Sequence, residues 1–235
     1  MNDRKNELAA NVAEVKEALA KAARKAGRMP EDVTLVAVSK IKPASDVRAL
    51  AETGQVDFGE NYVQEAIGKQ EELADLDVNW HYIGGLQSNK AKFVAGNFAL
   101  VHSVDSRKLA QALHKKAVSL DVVQDILLQV NIGGEEQKSG ITVEGLPELA
   151  EQVMEMEGVR VVGLMTMPPF FNQPERVRPI FAKLRELKEK LEIQTGEKLP
   201  HLSMGMTGDF VPAVEEGATL VRIGTKIFGA RDYRK

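Results

Sequence analysis

The sequence predicts an α/β protein, a single (β/α)8 TIM-type barrel with an additional N-terminal helix. Three observations predict it. Eight short apolar runs alternate with longer stretches of helical periodicity, the chain has 235 residues, and the chemically unusual side chains fall just after the apolar runs. Strict alternation implies parallel strands joined by right-handed crossovers, and eight such units in about 250 residues suit a closed barrel with its chemistry at the C-terminal strand ends. An open, doubly wound sheet is the competing arrangement of the same pattern.

The elements follow in order. From Asp3 to Gly27 the residues Leu8, Val12, Val15, Leu19 and Ala22 recur at helical spacing with charges between them, and Gly27 supplies a stop. Strands are expected at 34–39, 56–59, 79–83, 99–103, 126–130, 160–164, 201–203 and 219–223. Helices are expected at 44–52, 62–73, 88–95, 106–117, 147–156, 176–193 and 210–216. In the longest of these, Phe181, Leu184, Leu187 and Leu191 form the core stripe, and Lys183, Arg185, Lys188 and Lys190 the solvated side. No composition shift marks a linker, so one domain over 1–235 is expected. The irregular stretch 168–174, with three prolines, follows the sixth strand and reads as an active-face loop.

Composition excludes several classes of function. With 31 Lys and Arg against 34 Asp and Glu, the net charge of −3 offers no electrostatic case for nucleic acid or an anionic membrane. There is no cysteine, hence no disulfide, thiolate metal site or cysteine nucleophile. The charged start leads into no apolar secretion segment and no run is long enough to span a bilayer, so a soluble, cytoplasmic protein is expected. The basic tail, 231–235, reads as solvated.

The first strand ends in Ser39-Lys40, with Lys42-Pro43 following. A lysine beside apolar surface loses hydration of its charged form, so its free amine becomes available to attack a carbonyl. A strand-terminal lysine can equally just return the chain to water. If the strand continued, alternation would place Lys42 on the same side as Lys40. The other strand ends carry Glu60-Asn61, Gly84-Gly85, His102-Ser103, Asn131, Met165-Thr166, Ser203 and Gly224-Thr225. Small and amide residues at so many ends, facing a lysine, point to a ligand site.

The seventh and eighth ends, SMGMTGD at 203–209 and RIGT at 222–225, hold the parts of a phosphate cradle. Glycine admits close backbone approach, and Ser203, Thr207 and Thr225 offer hydroxyls. Two capped βα turns would use the same residues. Arg222, set among Leu220, Val221 and Ile223, needs an acceptor if it faces inward. It is either a buried structural ion pair or the partner of an unprotonated ring nitrogen, as in one mode of tuning pyridoxal phosphate (PLP). Other motifs lead nowhere. GGEEQKS at 133–139 resembles a Walker A loop, but Gln137 replaces the glycine that must precede the lysine; Lys138 could still reach a ligand. His81, His102, His114 and His201 lack metal-site spacing, so no metal is expected, and no GxGxxG follows a strand.

The chain resembles the pyridoxal-phosphate homeostasis protein family, related in fold to the N-terminal barrel of alanine racemase. The resemblance covers nearly the whole chain. It rests on LVAVSKIKP at 35–43, FGENYVQE at 58–65, WHYIGGLQSNK at 80–90, SVDS at 103–106, QVNIGGEEQKSG at 129–140, GLMTMPP at 163–169, LSMGMTGDF at 202–210 and VRIGTKIFGAR at 221–231. It implies that PLP is bound, that Lys40 forms the internal aldimine, and that Arg222 contacts the pyridine nitrogen. It implies further that Ser203, Thr207, Gly224 and Thr225 hold the phosphate, and that Asn61, His81 and Met165 line the ring. Two departures stand out. Members usually have Gly-Pro where this chain has Gly84-Gly85, and many have serine then a polar residue where it has Thr207-Gly208.

Racemases of this fold use a second base, a tyrosine, from a partner chain bearing an added β-domain, and no such domain is expected here. An arginine at the pyridine nitrogen also weakens the ring as an electron sink. The expected function is therefore PLP binding in cofactor homeostasis without efficient catalysis, by a monomer or weak dimer, with PLP-dependent apoenzymes as recipients. The alternatives are a low-activity racemase with Tyr62, His81 or Tyr82 as second base, and a lyase using Lys40 directly on carbonyl substrates.

Overall fold

The computed structural model describes residues 2–135, 139–169 and 171–230. Eight parallel strands close into a barrel in sequence order: β1 Thr34–Val38, β2 Asp57–Glu60, β3 Asn79–Tyr82, β4 Leu100–Val104, β5 Gln124–Gln129, β6 Val159–Met165, β7 His201–Ser203 and β8 Leu220–Ile223. The ring shuts where β1 pairs with β8, Val36 opposite Arg222. The closed barrel therefore prevails over the open sheet. Helices α1 Asn2–Lys25, α2 Ala44–Ala51, α3 Val63–Glu72, α4 Arg107–Ser119, α5 Leu146–Met154, α6 Arg178–Thr195, α7 Phe210–Glu215 and α8 Thr225–Phe228 surround it.

Alternation along each strand sends one set of side chains outward to the helices and the other inward. Phe58, Trp80, Tyr82, Leu202, Val221 and Ile223 belong to the large outer core. Val36, Leu100, Leu127, Val162, Met165 and Leu220 form the small inner plug. Where β6 meets β7, a Cβ on Gly163 would lie 2.0 Å from the His201 carbonyl oxygen, so only glycine permits that strand approach. The opening helix buries Leu8, Val12, Val15 and Leu19, as its periodicity predicts. It packs on α2, α7 and α8, over the seam between the last strand and the first. Arg4 fastens it through Asp46 at 2.7 Å and the Phe228 carbonyl at 3.0 Å.

Three expectations change. The segment predicted as a helix at 88–95 is a 3-10 helix, Ser88–Phe93, closed by three-residue bonds such as Lys90 N–H to Gln87 O, with Ala91 buried. The helix predicted from 176 begins with a 3-10 turn, Pro174–Val177; α6 starts at Arg178 with a proline in its first turn. The second and fourth strands each run one residue later than predicted; at the second this leaves Val56 exposed and includes Glu60. Among the described residues no helix is long and apolar enough to cross a membrane.

Candidate functional site

A cavity of about 310 Å³ opens at the C-terminal ends of the strands. Its walls come from Val38, Lys40, Asn61, Ile83, the 167–169 and 206–209 loops, Phe171, Arg222, Gly224 and Thr225. The inward positions explain the set. Val36 and Val38 face in, and Lys40 is the next inward position on the chain, just past the end of β1. On β2, Asp57 and Gly59 face in and Asn61 follows at the rim; on β8, Leu220 and Arg222 face in and Gly224 follows.

The segment carrying Lys40 is held from behind. Ser39 Oγ donates to Glu60 Oε1 at 2.7 Å, the Lys69 ammonium donates to Ser39 O and Glu60 Oε1, both at 2.7 Å, and Ile41 N–H donates to Glu65 at 2.6 Å. Ile41 has φ +60°, a left-handed conformation that turns the chain sharply after Lys40. That turn ends the alternation, so Lys42 leaves the cavity and donates to the Phe228 and Ala230 carbonyls at 3.1 and 3.0 Å. The strand does not continue, so the condition that would place Lys42 on Lys40's side is not met.

Arg222 is buried at the cavity floor, donating to Ser203 Oγ and to the Thr166 carbonyl. It is not a directly paired structural ion pair: burial lowers it to about 10, and the charge of Asp209 acts in the opposite direction without a hydrogen bond to it. Asp209 instead accepts the Met206 N–H at 2.6 Å, and burial raises its carboxyl above the ordinary value. In the same loop the Thr207 hydroxyl accepts from the Thr225 hydroxyl at 3.1 Å, tying the loops after β7 and β8 together. Asn61 presents an Oδ1 that is buried and has no hydrogen-bond partner among the described residues.

Lys40, Asn61, Thr207, Arg222, Gly224 and Thr225 thus share one cavity. Ser203, His81 and Met165 do not line it. Ser203 lies beneath Arg222 with its hydroxyl engaged by that guanidinium and by His102. Met165 belongs to the inner plug, and Met167 takes the wall position above it. His81 is one inward step below Ile83 on β3, and faces the opposite, N-terminal mouth together with Asp57, Asp125 and His201. Sequence locates a strand end but not the depth of a side chain below it, and each of these three lies one layer too deep. Tyr82 also lies outside the cavity; its hydroxyl donates to the Asn61 and Gly85 carbonyls at 3.1 and 3.2 Å, and burial raises it to about 12. Tyr62 is exposed at the start of α3. Asn131 donates to the Glu135 carbonyl. Lys138 and the basic tail lie outside the described residues. The predicted active-face loop does reach the cavity, through Pro168, Pro169, Phe171 and Pro174. Val38, Ile83 and Asp209 were not singled out; counting alternate positions back from the strand ends would have found the first two. No group of three or more His, Asp or Glu among the described residues could hold a metal ion.

The third rim loop is built on a close approach. A Cβ on Gly84 would stand 2.3 Å from the Asn61 carbonyl oxygen, whereas one on Gly85 would meet nothing within 4 Å. Gly85 has no left-handed φ, and its N–H makes no hydrogen bond among the described residues. Gly85→Pro is therefore expected to be neutral or to raise urea-unfolding stability by up to about 1 kcal/mol, by restricting the unfolded chain. A loss above that size would show that this backbone cannot accept the family's usual residue.

A lysine, an arginine and paired hydroxyl loops at the C-terminal face of a closed parallel barrel define a protein of the alanine racemase N-terminal type. The model of that family, "Alanine racemase, N-terminal domain", matches residues 6–232. The pyridoxal phosphate homeostasis proteins of Aquifex aeolicus and Pseudomonas aeruginosa are 48% and 49% identical over 93% and 96% of this chain, and 96% of each relative. The chain belongs to the pyridoxal phosphate homeostasis protein family. Among solved structures, PipY of Synechococcus elongatus with PLP bound is 38% identical with a TM-score of 0.84, covering 94% of this chain and all of that one. Alanine racemase of Corynebacterium glutamicum, 14% identical, shares the fold alone, with a TM-score of 0.74 over 96% of this chain and 62% of its own.

Proposed function

We propose that the chain binds PLP in this cavity as a Lys40 aldimine and serves intracellular PLP homeostasis without efficient catalysis. The observation that carries this reading is that Lys40, Arg222, Thr207 and Thr225 open onto one cavity of about 310 Å³, a volume at the small end for ligand sites. The residues suit the group. The Lys40 amine can condense with an aldehyde, releasing water. The Thr207 and Thr225 hydroxyls, with Gly208 and Gly224 in the same loops, suit a phosphate, and the Asn61 Oδ1, which has no hydrogen bond among the described residues, offers an acceptor at the ring.

Bound PLP would supply an electron sink, and Arg222 would limit it. A guanidinium that only donates cannot share a ring nitrogen's extra proton, so it favours the neutral ring. The side chains offered as a racemase's second base are turned elsewhere: Tyr82 to two carbonyls, His81 to the far mouth. On this reading the chain works in the cytoplasm as a single-domain barrel, monomer or weak dimer, and hands the cofactor to PLP-dependent apoenzymes.

Borohydride reduction of protein loaded with PLP, followed by peptide mapping, tests the central claim. A pyridoxyl group on Lys40 is expected; modification only elsewhere, or none, overturns it. α-Proton exchange of amino acids in deuterated solvent tests the other half, where turnover comparable to ordinary racemases would defeat the carrier reading.

A further inference from the structure

Beneath the cavity a file of polar side chains crosses the apolar interior of the barrel. Arg222 donates to Ser203 Oγ; Ser203 Oγ lies 2.8 Å from His102 Nδ1; His102 Nε2 lies 3.0 Å from His81 Nδ1; and His81 Nε2 lies 3.0 Å from Asp57 Oδ1, at the N-terminal mouth. Ser203 and His102 are fully buried, and His81 and Arg222 nearly so. Buried polar groups are costly, so a continuous file of them through a barrel core calls for a reason.

The acceptor end of the file sets the order of the protons in it, and the donor end is compatible with that order. Guanidinium donates only, so Ser203 Oγ accepts from Arg222, which leaves its own proton available to His102 Nδ1. His102 then carries its proton on Nε2 and donates to His81 Nδ1, and His81 carries its proton on Nε2 and donates to Asp57. An ionised carboxylate accepts only, so the opposite end demands the same order. Burial raises the Asp57 carboxyl, but His81, Asn79 and Lys16 outweigh it and hold it below the ordinary value. Burial above all, with the charge of Arg222 acting in the same direction, lowers His102 well below its ordinary value and keeps it neutral. Donor and acceptor thus agree from one end to the other, and each bond polarises the next in the same direction.

We propose that Asp57 is a second counter-charge of Arg222, besides the Asp209 that lines the cavity with it, and that His81, His102 and Ser203 transmit it through the barrel as a hydrogen-bond line of single polarity. These four are positioning residues: they hold the guanidinium's charge and orientation toward the cavity from the opposite face of the barrel. The consequence for the cofactor rests on the function proposed above; the line itself does not.

The test is NMR on the full chain, without cofactor, labelled with ¹⁵N at histidine and arginine. His81 and His102 are expected as neutral Nε2–H tautomers, and Asp57→Asn, which removes the charge while keeping the shape, should displace the Arg222 guanidinium resonances. Asp125→Asn should leave them unmoved, since Asp125 lines the same mouth but pairs with Arg160 at 2.7 Å. Ser203→Ala, which removes the link bonded to Arg222 itself, should displace the same resonances and marks the size of a direct loss against which the effect of Asp57→Asn is read. An Nδ1–H tautomer at either histidine, a charged His102 at neutral pH, or Arg222 resonances indifferent to Asp57→Asn would overturn the proposal. In protein reconstituted with PLP, Asp57→Asn should also shift the visible band relative to wild type. A wild-type protein that forms no such band defeats the function reading, while the cofactor-free spectra still decide for or against the line.

Discussion

Lys40→Ala is expected to abolish the visible band of the PLP-loaded protein and the borohydride-stable adduct, and to weaken cofactor binding by at least about 100-fold, about 2.7 kcal/mol. Thr207, Thr225 and Arg222 would remain, so residual, non-covalent binding should persist and be visible by equilibrium dialysis. Lys42→Ala is the control. Its ammonium is engaged with the Phe228 and Ala230 carbonyls beyond the left-handed turn at Ile41, so the adduct should survive that change. A visible band that persists in Lys40→Ala would show that another amine captures the aldehyde and would withdraw Lys40 as the anchor.

Lys69→Met should unfold more easily by about 3–5 kcal/mol, the usual cost of breaking a buried ion pair from one side. Lys69 is nearly buried on the inner face of α3 and satisfies Glu60, whose carboxylate is fully enclosed and already has one oxygen without a hydrogen bond among the described residues. Burial raises the Glu60 carboxyl even with Lys69 and Ser39 acting against it. A raised carboxyl means that the folded state holds its proton longer, so ionisation costs stability as pH rises. The variant should accordingly recover part of its loss as pH falls from neutral toward about 4.3, the unfolded carboxyl value. Adding Glu60→Gln should restore most of the loss at neutral pH. Urea unfolding of the two variants decides the matter; a change under about 1 kcal/mol in Lys69→Met would mean that the cluster contributes nothing beyond a surface pair. The same substitution removes the bond to the Ser39 carbonyl, and so should also slow or weaken capture of PLP by Lys40.

The eight strands were legible because each is a short apolar run bounded by polar residues, and parallel strands buried on both faces must be apolar throughout. β1 and β8 show it most clearly; β2 and β4 each run one residue later than predicted, and at β2 Gly59 and Glu60 break the apolar run. Helix ends were less legible. The helix predicted over 88–95 has apolar spacing that either an α or a 3-10 helix can bury, and periodicity does not choose between them. Lys40 stood out because the end of a strand is where a barrel does its chemistry. Asp57 and Lys69 drew no notice, since an aspartate opening a strand and a lysine among helical charges look like solvated residues in one dimension.

The pattern of apolar runs dictated a parallel barrel, and the barrel dictated which strand ends could gather at one face; local periodicity and the chain's direction suffice for both. The sequence motifs likewise placed lysine, arginine and hydroxyls at those ends. Depth was decided only by the closed structure. Tilt and stagger of the strands set which inward layer each residue joins, so Ser203, His81 and Met165 lie below the cavity while Ile83 and Met167 line it. Closure also brought Asp57, His81, His102, Ser203 and Arg222 into a single file, five residues from five strands spread over most of the chain. No local rule could foresee that contact, because it forms only once β8 has met β1 and the interior has lost its water.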